Sequence, residues 1–374
     1  MLRFNSDHKF KIMQIADTQE IPAVSPDTLS LINNALDREK PDLVIFTGDQ
    51  IKGYSKKFKK DPAIIESTID ILVEPIAKRN IPFMVTYGNH DAQCGVDNRG
   101  QYKFYAKYDN FISGNLRNAD DVGTADIQIY SSTEDKPVFE LYIIDSHGKA
   151  KDGAGYAPVD KEQIEWYVSR REQLKAENGD YLPSLVFQHI PVPEFFDVIK
   201  KVPKGAKGAV PAYGAHENEY FVLNDETIAE GGFMLESPAS PDVNTGEFEA
   251  MSEKGDVLGI YVGHDHNNSF VVKYKGVDLG YTQGAGFNVY GPGENRGVRI
   301  FELDETVPRE YKTHTATFKE LCGTKIKTPV KEFIYKHAPT SPRAVKPILI
   351  KVGIGIAAIA AVYAAYKFFT GFNI

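Results

Sequence analysis

The first ninety residues alternate between short apolar runs and stretches of helical period. Phe10 to Ala16 (FKIMQIA) is an apolar run that ends in Asp17. From Pro26 to Lys40, Leu29, Ile32 and Leu36 recur on one helical face, and Pro41 stops the pattern. Asp42 to Thr47 (DLVIFT) ends in Gly48-Asp49. Pro62 to Arg79 repeats the helical period with Ile65, Ile69, Leu72 and Ile76, and Ile81 to Tyr87 (IPFMVTY) ends in Gly88-Asn89-His90-Asp91. This β-α-β-α-β order predicts parallel strands joined by right-handed crossovers. Each strand delivers polar residues at its carboxyl end, where open α/β sheets bind ligands.

The later chain keeps the theme with more strand. Val138 to Asp145 reads as a strand and Asp160 to Lys175 as a helix. Ser184 to Gln188 is a strand ending in His189, and Val257 to Val262 one ending in Gly263-His264-Asp265-His266. Phe270 to Tyr274, Val277 to Tyr281 and Val298 to Leu303 are short strands with glycine-rich turns between them. Pro193 to Lys254, rich in Gly, Pro, Asp, Glu and Ser, reads as loops with short helices, the kind of long segment that often carries function.

Composition narrows the class. Of 374 residues, 42% are hydrophobic and 25% charged, which excludes a mainly disordered chain. Two cysteines, Cys94 and Cys322, exclude a disulfide framework and a cysteine-built metal site. A net charge of -8 argues against nucleic acid as a partner. The charge is uneven: residues 319–351 carry eight Lys or Arg against two Glu, so residues 1–318 are more acidic than the whole. Such a domain attracts cations, a weak pointer to metal.

The strand ends supply the candidate chemistry: Asp17, Asp49, Asn89 with His90, His189, and His264 with His266. Asp, Asn and His are the ligand set of Zn, Mn or Fe. Singly, each has an ordinary explanation as a helix cap, a turn or a core histidine. Two imidazoles two residues apart at a strand end face the same way, which is more specific.

In order along the chain these elements resemble the calcineurin-like metallophosphoesterase superfamily. Its blocks are Asp-x-His, Gly-Asp, Gly-Asn-His-Asp/Glu, a solitary His and Gly-His-x-His; here they read Asp17-Thr18-Gln19, Gly48-Asp49, Gly88-Asn89-His90-Asp91, His189 and Gly263-His264-Asp265-His266. The stretches 187–194, 236–238 and 263–268 look most like its purple acid phosphatase-like branch. The resemblance implies an α/β fold, a four-layer αββα sandwich of two mixed β-sheets flanked by helices. It implies two divalent metal ions, Mn, Fe or Zn, one held by Asp17, Asp49 and His266 and the other by Asp49, Asn89, His189 and His264. His90 would stand beside the phosphate, and Asp91 would orient His90. Two departures stand out. Gln19 stands in the metal set where the family has a histidine ligand, and its carbonyl is a weaker donor to a soft ion. Lys52 stands where purple acid phosphatases carry a tyrosine ligand.

The function implied is hydrolysis of phosphate monoesters by a metal-bridging hydroxide, on a small phosphorylated substrate or a phosphoprotein. A phosphodiesterase or pyrophosphohydrolase on a nucleotide or lipid headgroup is the alternative. A non-catalytic metal-binding scaffold is a second, favoured only by Gln19.

The C-terminus sets a separate expectation. Residues 1–318 read as the catalytic domain, 319–346 as a basic linker and 347–374 as a hydrophobic helix. Pro347 to Phe372 is apolar apart from Lys351 and Lys367. As a helix it would span about 39 Å, enough to cross a bilayer. The basic residues before it would place the main domain on the cytoplasmic face of a membrane. Gly353, Ala357, Ala361 and Ala365 form a small-residue face suited to homo-oligomer packing. The alternative is an amphipathic helix docked on the domain or on a second subunit.

Overall fold

A computed structural model describes residues 1–151, 155–224, 228 and 232–337. Two mixed sheets carry the architecture. In the first, five strands run in the order Tyr311–Thr317, Gly297–Asp304, Lys9–Ile15, Leu43–Thr47, Phe83–Thr86. The last three are parallel to one another, as the crossover pattern predicts, and Gly297–Asp304 is antiparallel to Lys9–Ile15. The second sheet has nine strands. At its centre Pro137–Ile144, Ser184–Gln188, Val257–Val262 and Val277–Tyr281 lie side by side and parallel.

The two sheets pack face to face. Ile12, Leu43, Ile45, Met84 and Phe301 of the first meet Ile129, Leu141, Ile143, Leu185, Phe187 and Tyr261 of the second in a buried layer. The strands are apolar on both faces because helices cover the outer ones. Pro26–Glu39, Pro62–Ala77 and Asn98–Tyr105 close the first sheet, burying Leu31, Ile32, Leu36, Ile65, Ile69, Leu72 and Ile76. Lys161–Asn178 and Glu247–Ser252 close the second. This is the four-layer αββα sandwich. The helix starts follow from their caps: Ser25 and Asp61, each just ahead of a first-turn proline, accept from the Asp27 and Ala63 N–H groups, and Asp160 with Gln163 forms a capping box.

Two strands escape the hydrophobic pattern. Ala125–Tyr130 buries Asp126, paired with Arg170, and alternates Asp126 and Gln128 with its apolar residues. Tyr311–Thr317 is an edge strand of alternating polar residues. The segment 193–254 also holds more order than loops and short helices. Ile199–Lys201, Val210–Pro211 and Tyr220–Leu223 form a small antiparallel sheet.

The expected boundary at 318 is not a boundary in the fold. Phe318–Cys322 and Pro329–His337 are helices docked on the domain. Asp27 accepts from the Lys327 N–H and the Thr328 hydroxyl, and Glu332 is ion-paired with Arg296 at 2.9 Å. The placement on the cytoplasmic face of a membrane is corrected. Among the described residues no helix is long and apolar enough to cross a membrane. The 347–374 segment on which the anchor and the small-residue oligomer face rested lies outside the described residues, so no anchor is supported.

Candidate metal centre

Five strand ends, three from the first sheet and two from the second, meet in one buried pit. Asp17, Asp49 and Asn89 follow Lys9–Ile15, Leu43–Thr47 and Phe83–Thr86; His189 and His264 follow Ser184–Gln188 and Val257–Val262. The turns that deliver them are unusual. Asp17, Gln19, Asp49 and His264 all have positive φ, at 53°, 34°, 54° and 71°. Non-glycine residues adopt such angles rarely, and they cluster where surrounding structure enforces them. Two glycines of the motifs are required by close approach. A Cβ on Gly88 would lie 2.2 Å from Asp49 Oδ1, and one on Gly263 would lie 2.6 Å from Asp17 Oδ2.

Asp49 is central. Its Oδ1 accepts the His90 N–H and its Oδ2 the Gln19 amide, both at 2.8 Å, and His189 Nε2 lies 3.4 Å from Oδ2. His189 donates through Nδ1 to the Thr47 carbonyl at 2.9 Å, so Nε2 presents its lone pair. That atom is 3.2 Å from both Asn89 Oδ1 and His264 Nδ1. His266 is built alike. Nδ1 meets the Tyr290 carbonyl at 2.9 Å, the ring lies flat on Tyr290, and Nε2 is 3.2 Å from Asp17 Oδ1.

These are lone pairs facing lone pairs. Asp17 Oδ1 is buried without a hydrogen-bond partner among the described residues. One ligand atom each from Asp17, Asp49 and His189 lies within 4.8 Å of the others. Either protons or a cation must relieve such a cluster. The electrostatics agree. Burial opposes charge on His189, yet Asp49 and Asp17 push its pKa up to about 10. His266 is raised too: burial opposes it, and Asp17 prevails. His264, buried beside His189, is held well below the usual range and stays neutral. Asp49 is held below the ordinary carboxylate value, where the charges of His189 and His90 overcome burial. The donor set fits divalent Zn, Mn or Fe.

All the sequence-predicted site residues come together here, with two changes of part. Asp91 does not touch the His90 ring through its hydrogen bonds. It is buried and accepts from the backbone N–H groups of Asp49, Gly88 and Ile51 at 2.7, 2.8 and 3.3 Å. Asp91 therefore braces the two loops, while Gln93 holds His90 Nδ1 at 3.0 Å. Burial and nearby Asp49 raise Asp91 to about 8. Gln19 meets the centre with its amide nitrogen, 2.8 Å from Asp49 Oδ2 and 3.2 Å from His266 Nε2, while its oxygen accepts from Tyr54. A ligand would need the opposite edge. His147 pairs with Asp160 and His216 stacks on Phe196; neither lines the cavity.

The pit opens into a cavity of about 780 Å³. Its walls hold residues the sequence reading passed over: Tyr156, Tyr290 and Tyr335 beside Lys52 and Tyr54. Tyr290 sits between the glycines of a run that reads as a mere turn. Its neighbour two residues back, Asn288, is fully buried in contact with Glu20.

The chain is similar to known proteins. The model of the calcineurin-like phosphoesterase family matches residues 10–268. An Arabidopsis thaliana protein named "Probable inactive purple acid phosphatase 14" is 29% identical over 82% of this chain and 78% of its own length. A Saccharomyces cerevisiae protein named "Phosphatase DCR2" is 28% identical over 86% of this chain and 55% of its own. A solved structure of a dimetal phosphatase from Danio rerio aligns over 83% of this chain and 99% of its own, at 12% identity and a TM-score of 0.49.

Proposed function

We infer, from the premise that the chain belongs to the calcineurin-like phosphoesterase family, that it is a metal-dependent hydrolase of phosphate monoesters. The observation that carries this reading is the convergence of Asp17, Asp49 and His189 beside an open cavity that Asp49, His264 and His266 line. Asp17, Asp49 and His266 would hold one divalent ion, and Asp49, Asn89, His189 and His264 the other. When bound, such ions supply charge screening for the phosphate and an acidified water.

The chain's own groups then have defined tasks. Thr47 and Tyr290 carbonyls fix the His189 and His266 tautomers, so both rings offer Nε2. Asp91 ties the Gly48-Asp49 and Gly88-Asn89 turns together and keeps their side chains in register. His90 is half-buried in the cavity wall with its ring against Tyr54. Gln93 engages Nδ1, which leaves Nε2 to give a proton to the leaving-group oxygen.

The test is hydrolysis of nitrophenyl phosphate and of the bis-nitrophenyl diester by the full chain, titrated with Mn, Fe and Zn. Monoester turnover that needs metal and is lost in Asp49→Ala and His90→Ala supports the reading. Preference for the diester would move the assignment to a phosphodiesterase. A second reading has an observation in its favour: Gln19 gives hydrogens to the atoms an ion would use, and three relatives carry "inactive" in their names. Metal binding without turnover of either ester would establish that non-catalytic reading.

A further inference from the structure

The cavity is far larger than one phosphate group, so most of its wall faces whatever the phosphate is attached to. One part of that wall is basic. Lys52 Nζ donates to the Asn288 carbonyl at 3.0 Å and lies 5.3 Å from the Tyr54 ring centre and 5.0 Å from that of Tyr335. Lys331 Nζ stands 5.9 Å from the same Tyr335 ring. Two ammonium groups thus flank one aromatic ring, and Lys52 and Tyr335 line the cavity with Lys331 behind them. Neither forms an ion pair with a carboxylate among the described residues. The acidic groups in their field are already engaged: Glu20, near both, accepts from Ser25 N–H, the Thr28 hydroxyl and the Asn288 amide, and Asp27, near Lys331, accepts from Lys327 N–H and the Thr328 hydroxyl. Burial and the nearby charges of Lys331 and Lys57 lower the Lys52 pKa. Crowded, partly desolvated cations gain when an anion joins them.

The helix that brings Lys331 and Tyr335 is firmly seated. Its Glu332 pairs with Arg296, which is fully buried and also donates to the Gly286 and Val289 carbonyls. That helix lies beyond the residues matched to the family. Lys52 holds the position where the resemblance led one to look for a metal-binding tyrosine, and its ammonium is turned to the cavity wall instead.

We propose that Lys52, Lys331 and Tyr335 form a second phosphate subsite, and that the substrate is an ester whose leaving group carries a second phosphate. This rests on the phosphoesterase reading for the word substrate, but the subsite is testable without turnover. Lysine suits the task as a compact charge with several donors.

The experiment compares fructose 1,6-bisphosphate with fructose 6-phosphate on the full chain. Calorimetry measures binding and, where phosphate is released, kcat/KM is measured for both. The wild type should favour the bisphosphate about tenfold or more, and Lys52→Met/Lys331→Met should cut that ratio by about the same factor. Lys331→Met alone, on a half-exposed helix position, should cut it in part and keeps the test open if the Lys52 change impairs folding. Equal affinity of the wild type for the two sugars, or a ratio unmoved by the variants, overturns the proposal. A binding preference that vanishes in the variants, with no release of phosphate, upholds the subsite and counts against the hydrolase reading alone.

Discussion

The two halves of the centre share Asp49 and are otherwise built differently. On one side His189, Asn89 and His264 turn acceptor atoms toward a common point, and among the described residues no other side-chain amide donates to those atoms. On the other side His266 and Asp17 do the same, but the Gln19 amide nitrogen stands among them and donates to Asp49 and to His266. Both halves fix a histidine tautomer through a backbone carbonyl. Only one of them has a donor already supplying part of what a cation would supply. The first half is therefore expected to bind its ion tightly, and the second weakly, since an ion there must first turn or displace Gln19.

The harshest way to break the comparison is to remove what the halves share. Asp49→Ala should abolish both sites and reduce turnover by well over the roughly 10–100-fold that loss of a residue supporting a ligand costs. Metal content of the dialysed protein and nitrophenyl phosphate hydrolysis read this directly. Retention of one full equivalent of metal would show that Asp49 does not bridge.

Next come the histidines, one per half. In a Mn or Zn titration the wild type should fill in a tight and a weak phase. His189→Ala should remove the tight phase, weakening it by about 100-fold or more, and His266→Ala should remove the weak one. The reverse assignment would invert the comparison. Gln19→His is milder and sharpens it: an imidazole in place of the amide should tighten the weak phase by about tenfold, or roughly 1.4 kcal/mol. If the weak phase does not move, Gln19 is not what separates the halves.

How much of this was legible in the sequence follows the same division. The ligands at strand ends were readable because each closes an apolar run, and because a β-α-β-α-β order forces those ends to one edge of the sheet. The convergence of His189 with Thr47, from a different sheet, was carried by the order of the motifs and not by any local pattern. The parts of Asp91 and Gln93 were not legible. His90-Asp91 suggests a contact between neighbours, whereas the backbone turns Asp91 inward to three amides and leaves Gln93, one 3₁₀ turn on, to meet the ring. The tyrosine wall was hidden too. Tyr54, Tyr156, Tyr290 and Tyr335 sit on four separate loops and helices, and no spacing joins them. The strand Ala125–Tyr130 was missed because Asp126 and Gln128 leave it no apolar run, and the Arg170 partner that allows Asp126 to be buried is 44 residues away.

The smallest expected effect on chemistry concerns the ground beneath the tight half. Glu247 is buried beside Gln188, the residue before His189, and burial raises its pKa to about 8, with the nearby charge of Glu194 adding to the rise and a hydrogen bond to Gln188 opposing it. The folded chain thus keeps a proton on Glu247 that the unfolded chain loses at an ordinary carboxylate value. The stability this protects is fully present below about pH 4.5 and is lost as the pH climbs to about 8. Over that window the loss is up to roughly 4 kcal/mol, at about 1.4 kcal/mol per pH unit. Glu247→Gln keeps the shape and cannot ionise. Urea unfolding should find it more stable than the wild type at pH 8 and nearly equal to it at pH 5, with metal content unchanged at either. A variant that instead lost the tight metal phase would show that Glu247 acts on His189 through Gln188. An unchanged pH profile would show that Glu247 is ionised in the folded protein after all.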